Sequence, residues 1–302
     1  MKILVTGSSG TIGTRLCESL LQQGHAIFGA DIRRNEWSPD VAARTVAVDL
    51  RRREDLGAKL PADPDLIVHL AANARVYDLV VDPAAAFDNI SMTFNVLEFA
   101  RQRGVKKIMF ASSREVYGNI AGRSHRESDA TIDACESPYA ASKLAGEALA
   151  RSYDKCYGIG AVIFRFSNVY GMYDTSDRLV PTLIRQAESG APITLYDPEK
   201  TLDFTYIDDC VDGIVRAVGA FDKCSGQTIN IATGKGTSLA EVCGMILRLT
   251  GSRSKIIRLP SRIGEVRMYV ADLAKAGSLL KYEPKVGIEE GLRRSIKWWA
   301  ER

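Results

Sequence analysis

The sequence carries almost no excess of either charge: 40 lysines and arginines face 37 aspartates and glutamates, a formal net charge of +3 over 302 residues. Both signs are spread along the chain, so neither nucleic acid nor an anionic membrane is expected as a partner. The nearest thing to a basic block, "RRRED" from Arg51, reads as the solvated first turns of a helix. No two cysteines form a C-x-x-C pair. The six, Cys17, Cys135, Cys156, Cys210, Cys224 and Cys243, lie far apart. A disulfide framework or zinc site is therefore not expected, no metal is implied, and reduced, mostly buried thiols fit a cytoplasmic protein. The opening "MKILVTG" is much too short an apolar run for a signal peptide or membrane span. Internal repeats, low-complexity tracts and Gly/Ser/Pro linkers are also missing, so any lobes are expected to share one compact body. What remains, 46% hydrophobic and 25% charged, is the composition of a globular protein with a full core.

Apolar runs of strand length alternate with stretches of helical periodicity: "KILVT", "TIGTRLCESLLQQG", "AIFGAD", then "DLIVHLAA", "AAAFDNISMTFNVLEFARQRG", "KKIMFASS". Two of the helical stretches end at Gly24 and Gly104, as helix C-termini often do. Continuous apolar strands alternating with helices imply right-handed crossovers and a parallel sheet covered on both faces. The pattern continues with "SPYAASKLAGEALARSYDKCYG" as a helix and "GAVIFRFSNVYG" as a strand. It then loosens: "APITLY", "DFTYIDDCVDGIVRAVGAF" and "QTINIA" suggest a smaller lobe, and "GIEEGLRRSIKWWAER" closes as an amphipathic helix. The expected fold is α/β, a Rossmann-type doubly wound parallel sheet over residues 1–170 with a smaller mixed α/β substrate-binding lobe over 171–302, the two lobes interleaved.

"TGSSGTIG" places Gly7, Gly10 and Gly13 between the first strand and the first helix. Glycines there permit a tight turn and close approach of backbone to a pyrophosphate, while the helix N-terminus offers free N–H groups. Asp31 ends the second apolar run, eighteen residues after Gly13. A carboxylate there accepts hydrogen bonds from a ribose diol and repels a 2′-phosphate, which favours NAD over NADP. Arg33 and Arg34 work against that preference, since a nearby arginine tolerates the extra phosphate. Asp49, at the end of "TVAVDL", reads either as an adenine contact or as a turn cap.

"SPYAASK" sets Tyr139 and Lys143 four residues apart in a helical pattern, hence on one face. An adjacent ammonium is expected to lower the tyrosine's pKa from near 10, so that the phenolate can take a proton from a sugar hydroxyl while hydride leaves to a nicotinamide. Alone, Y-x-x-x-K reads better as a surface pair on a helix. Ser113, ending another predicted parallel strand, supplies a hydroxyl at the same carboxyl edge of the sheet.

With these residues in place, the sequence resembles the extended short-chain dehydrogenase/reductases, in particular the NAD-dependent nucleotide-sugar epimerases and dehydratases, UDP-glucose 4-epimerase-like. "TGSSGTIG", "HLAA", "SSREVYG", "YAASK", "RFSNVYG", "LDFTYIDD", "RIGEVR" and "ADLAKA" follow the family's order and spacing over nearly the whole chain. The resemblance implies NAD held by Gly7, Gly10, Ile12, Gly13, Asp31, Asp49, Leu50, Leu70, Ala71, Ala72 and Asn89 together with Tyr139 and Lys143. It implies Tyr139 as base, Lys143 tuning it and Ser113 aiding it. A nucleotide-diphosphate sugar is implied as partner, with Ser113, Arg114, Asn168 and Arg262 near it, as is a homodimer formed through the "NISMTFNVLEFARQ" and "SPYAASKLAGEALARS" helices. One departure stands out: Leu202 occupies a place where the family usually has an arginine, with Lys200 as a possible substitute.

The resemblance also frames the reaction. Its branches share oxidation at C4 to a 4-keto sugar; a 4-epimerase then returns hydride to the other face, whereas a dehydratase removes the C5 proton with a glutamate and expels the 6-hydroxyl with an acid. Glu115 matches that glutamate, but Arg114 stands in the acid's place, and a guanidinium is a very poor proton donor. Arg114 can instead grip a uronate carboxylate, as in a nucleotide-uronate epimerase or decarboxylase. Alternatively, Arg114 and Glu115 pair with each other or with loop charges and take no part in chemistry. His125 reads as a loop residue, and Asp208 and Asp209 as a helix start whose carboxylates satisfy free N–H groups. The expected activity is a nucleotide-sugar 4-epimerase on a UDP-hexose or UDP-hexuronate. Dehydration or decarboxylation using Glu115 or Arg114 is the alternative, and a non-catalytic dinucleotide-binding sensor or scaffold the reading from another class.

Overall fold

The computed structural model describes residues 1–120 and 124–302. In chain order its elements run β1 (Lys2–Thr6), α1 (Thr11–Gln22), β2 (Ala26–Asp31), α2 (Pro39–Ala42), β3 (Thr45–Ala47), α3 (Arg53–Lys59) and β4 (Leu66–His69). Then come α4 (Val76–Val81), α5 (Ala84–Arg103), β5 (Lys107–Ser113), α6 (Pro138–Tyr157), β6 (Gly160–Phe166), β7 (Asn168–Tyr170) and α7 (Leu179–Ser189). β8 (Ile193–Tyr196), β9 (Thr201–Tyr206), α8 (Ile207–Gly219), α9 (Phe221–Cys224), β10 (Thr228–Ile231) and β11 (Gly236–Ser238) follow. The chain closes with α10 (Leu239–Thr250), β12 (Ile256–Leu259), β13 (Met268–Tyr269), α11 (Ala274–Leu280) and α12 (Ile288–Ala300).

Seven strands form one sheet in the order β10-β6-β5-β4-β1-β2-β3, with every neighbouring pair parallel. Its strands alternate between two cores: Ile3, Val5, Met109, Val162 and Phe164 face one, while Leu4, Ile108, Phe110 and Ile163 face the other. This two-sided burial is why the strands read as unbroken apolar runs. The strand order reverses between β1 and β4, and the crevice outside their carboxyl ends is where such sheets bind ligands.

Local signals set the long helices. Ser137 caps α6 by accepting from the Ala140 N–H at 3.2 Å, Pro138 occupies its first turn, and Gly158 ends it in the left-handed region at φ 62°. Gly104 ends α5 in the same way. The two helices pack side by side along the sheet.

The run "GAVIFRFSNVYG" is two strands rather than one. Continuing β6 past Phe166 would extend it beyond its sheet partners, so the chain turns at Ser167 and β7 pairs with β9 in a second sheet that also holds β11 and β13. The Ser167 and Thr205 hydroxyls, 2.6 Å apart, fasten this turn. β10, by contrast, returns from the later part of the chain to the edge of the main sheet. The helix start at "YIDD" is also satisfied differently from expectation. α8 begins at Ile207, but the Asp209 carboxylate accepts from the Lys285 and Val286 N–H groups, both at 2.9 Å, and Asp208 pairs with Arg15 at 2.7 Å. Both aspartates thus tie α8 to other segments instead of capping their own helix.

Candidate active site

The turn from β1 to α1 is built around steric necessity. Gly7 has φ 74°, and a Cβ there would lie 2.8 Å from the Ala71 nitrogen, so the turn touches the segment leaving β4. A Cβ on Gly13 would fall 2.0 Å from the Gly7 carbonyl oxygen, which makes that glycine the price of packing α1 onto its own turn. Gly10 begins α1 with no side-chain cap, and the first turn, including Ile12, has no acidic residue. Those N–H groups and the positive end of the helix are thus left for an anion. Across the crevice, Leu70 N–H donates to Thr6 O at 3.1 Å and Ala71 N–H to Thr6 Oγ1 at 3.4 Å, with Ala72 half-buried beyond them.

Asp31 is buried at the end of β2, its Oδ2 accepting from Ser9 N–H (3.0 Å) and its Oδ1 from Arg33 N–H (2.9 Å). Each oxygen keeps a second lone pair, so the carboxylate both fixes the glycine turn and remains able to accept from a ribose diol. The Arg33 side chain is mostly exposed, 3.9 Å from Asp31. Asp49 accepts from the guanidinium and the backbone of Arg51, which hold it below the usual carboxylate range. The basic run at Arg51 is thereby partly matched in charge, since Arg51 also pairs with Asp88. Leu50 is buried and its carbonyl accepts from Asn95 Nδ2 at 2.8 Å. Asn89 pins the loop after β4 by a two-way bond with the Asn73 backbone at 2.7 and 3.0 Å, and reaches Ser142 on α6 at 3.3 Å.

α6 brings Tyr139 and Lys143 against the end of β5. The Ser113 hydroxyl accepts from Glu115 N–H at 3.2 Å and lies close enough to the Tyr139 hydroxyl to act on its pKa. The Lys143 ammonium donates to Ala111 O at 2.8 Å and lies 5.8 Å over the Tyr139 ring. Burial pulls Lys143 down to about 8, with Glu147 opposing, and it holds the neighbouring His69 near 3 with help from the Lys143 charge. Tyr139 departs from expectation, because its pKa is raised in the free protein. Loss of hydration outweighs the lowering influence of Ser113 and of the charges of Arg178 and Arg114, and Glu115 adds to the rise.

Beyond Ser113 the chain makes one tight turn, Arg114–Tyr117, which swings two neighbouring side chains together where a strand would point them apart. Arg114 Nη2 and Glu115 Oε1 are 2.7 Å apart, and both residues are buried. Arg114 Nε also reaches Asn168 Oδ1 at 3.3 Å, and the Asn168 amide donates to Asp203 O at 3.1 Å. Lys200 is buried and pairs with Glu265 at 2.6 Å, while Leu202 lies in the core on β9. Arg262 is sandwiched between Tyr196 (3.7 Å) and Tyr77 (4.7 Å). His125 is wholly buried, its Nδ1 3.1 Å from Val270 O. Among the described residues, no group of His, Cys, Asp and Glu could hold a metal ion.

The charge of Arg178, at the start of α7, reaches Tyr139 and went unnoticed in the sequence. The available signal was a basic residue at a helix N-terminus, where the dipole disfavours it. Glu147 and Arg165, forming a buried pair at 2.8 Å beneath Lys143, were likewise missed.

The model of the NAD dependent epimerase/dehydratase family matches residues 3–232. The UDP-glucuronate 4-epimerase of Thermodesulfobacterium geofontis is 32% identical, over 98% of this chain and 95% of its own length. The structure of UDP-glucuronic acid 4-epimerase from Bacillus cereus, in complex with UDP-glucuronic acid and NAD, is 31% identical with a TM-score of 0.90, covering 100% of this chain and 99% of that one. A dTDP-glucose 4,6-dehydratase double mutant from Streptomyces venezuelae, with NAD bound, is 28% identical with a TM-score of 0.92, covering 100% and 98%. A turn whose Gly7 and Gly13 leave no room for a Cβ, a buried aspartate at the end of β2 and a Ser-Tyr-Lys cluster at the same sheet edge agree with that match, and the chain belongs to the NAD-dependent epimerase/dehydratase family.

Proposed function

We propose that this protein is a cytoplasmic, homodimeric nucleotide-sugar 4-epimerase acting on a UDP-hexose or UDP-hexuronate through a transient 4-keto sugar. The observation that carries the reading is the convergence of Ser113, Tyr139 and Lys143 at the carboxyl edge of the sheet, beside the glycine cradle. The cofactor of the family is NAD, and the residues present suit it. The turn at Gly7, Gly10, Ile12 and Gly13 takes the pyrophosphate, and Asp31 the adenosine ribose. Leu50, Leu70, Ala71, Ala72 and Asn89 wall the crevice, with Asp49 shaping the turn at its adenine end. When bound, NAD accepts and returns the hydride and brings the positive charge of its oxidised ring.

Tyr139, as phenolate, takes the proton of the C4 hydroxyl as hydride leaves C4, and Ser113 holds that oxygen by a hydrogen bond. Lys143 fixes the tyrosine ring from one side, and the charges of Arg178 and Arg114 favour the phenolate against its burial. After the keto sugar turns over, the same tyrosine returns the proton to the alkoxide formed on the opposite face. Asn168 and Arg262 face the nucleotide sugar from residues 171–302 and their border, while residues 1–170 carry the cofactor. Release of Arg262 from Tyr77 and Tyr196 frees it for the diphosphate.

Glu115 favours a second reading, dehydration. It is buried beside Tyr139, and burial raises its pKa, as suits a base for a C5 proton. Arg114, permanently cationic, stands against it, because it cannot protonate a departing hydroxyl.

The test is incubation with UDP-glucose, UDP-glucuronate and UDP-N-acetylglucosamine in D2O, followed by NMR. C4 inversion with no deuterium in the sugar is expected, and Tyr139→Phe is expected to lower kcat about 10²-fold or more. Deuterium at C5, or loss of water, would replace epimerisation by Glu115 chemistry.

A further inference from the structure

Arg114 and Glu115 directly follow Ser113 at the end of β5, and the charges of both act on Tyr139, the proposed base. Arg114 is 8% exposed and Glu115 4%. Their ion pair engages Nη2 and Oε1, and Arg114 Nε is directed at Asn168. Arg114 Nη1 and Glu115 Oε2 are left buried with no hydrogen-bond partner. An unmatched donor and an unmatched acceptor in one buried turn are an address for a group that both accepts and donates.

We propose that the Arg114–Glu115 pair makes the sugar pocket select a neutral hexose over a hexuronate, with one sugar hydroxyl accepting from Arg114 Nη1 and donating to Glu115 Oε2. The inference rests on the nucleotide-sugar reading above and narrows it. A free guanidinium grips a carboxylate through two parallel N–H donors and its full charge. Here one donor of that fork is already bonded to Glu115, and the charge is matched by it.

Among the described residues, the other charged groups that act on Glu115 or Tyr139 do not restore a site for an anion. Lys200 is matched by Glu265 at 2.6 Å. On Glu115 the charges of Arg114 and Lys200 favour the carboxylate, while Glu265 and Glu136 oppose them. Arg178 acts on Tyr139, where it favours the phenolate. A C6 carboxylate placed against the pair can accept from Arg114 Nη1, but it sets its second oxygen against the unpaired Glu115 Oε2. It meets repulsion at short range with little screening. A hydroxymethyl group in the same place satisfies both orphaned atoms and brings no charge.

The test compares UDP-glucose with UDP-glucuronate on the NAD-loaded enzyme, by kcat/KM and by calorimetric Kd. The neutral sugar is expected to be favoured at least tenfold in both. In Glu115→Gln, which removes the opposing charge while keeping the shape, the ratio of binding constants is expected to move at least tenfold toward the uronate. A wild-type preference below tenfold, or one for the uronate, overturns the inference, and that measurement needs no variant to fold. Binding with the expected preference but no turnover of any nucleotide sugar would leave the inference standing and sink the epimerase reading. No binding of either sugar would sink both.

Discussion

Lys143 keeps an ammonium where water does not reach, and the penalty shows as a pKa drawn from 10.5 down to about 8. The unfolded chain therefore binds more protons than the folded one between those values. Stability attributable to this group rises with pH across that window, and below it the full penalty, on the order of 3 kcal/mol, is present. Lys143→Met removes the charge but leaves the Ala111 carbonyl without its donor, a loss of about 1 kcal/mol. The variant is expected to be inactive yet at least as stable as the wild type at pH 7, with the gap closing between pH 8 and 10. Urea denaturation across that range checks it, and a variant less stable at pH 7 would show that the Ala111 hydrogen bond outweighs burial. Tyr139, Lys143 and Ser113 were readable because a helix face and a strand end follow from local spacing. The Arg114–Glu115 contact was left open, because it depends on a single tight turn after β5 that extended-strand geometry does not foresee.

At the scale of elements, Ser112 on β5 and Arg165 on β6 are direct partners in the sheet, and both reach Glu147 on α6. Arg165 donates to Glu147 through two nitrogens at 2.9 and 2.8 Å, and Ser112 through its hydroxyl at 2.5 Å. This buried pair clamps the helix bearing Tyr139 and Lys143 to the strands that carry Ser113. Glu147→Gln leaves the buried Arg165 charge unmatched and is expected to cost about 3–5 kcal/mol. Replacing both partners by methionine is expected to recover most of that, because two buried charges and their desolvation vanish together. Chemical denaturation of the single and double variants decides it, and additive losses would rule out the coupling. Patterning made the parallel strands and long helices legible. It did not reveal the break at Ser167, since "GAVIFRFSNVYG" is continuously apolar enough for one strand and only its partners in two sheets divide it. The destination of the Asp209 carboxylate was equally hidden, because its partners lie 76 and 77 residues away.

For the whole molecule, the proposed homodimer would form through the outer surface of α4, α5 and α6. Val81 and Phe87 are each 69% exposed, and Phe94, one heptad beyond Phe87 on the same side of α5, is 41% exposed. The adjoining face of α6 offers Ala141, Ala148 and Leu149, small or apolar and at least partly exposed, so two helices can approach closely. A twofold axis through this surface would bury the phenylalanines against the partner's copies and make a self-complementary interface of four helices. The same two helices carry Asn89, Tyr139 and Lys143 on their inner sides, so docking would also steady the site from behind. Phe87→Asp with Phe94→Asp introduces charges that such an interface cannot match. Sedimentation velocity is expected to show a dimer for the wild type at micromolar concentration and a monomer for the double variant. The monomer should retain its fold, because both side chains lie outside the two main cores. A wild type that sediments as a monomer, or a double variant that stays dimeric, would place the contact on another face.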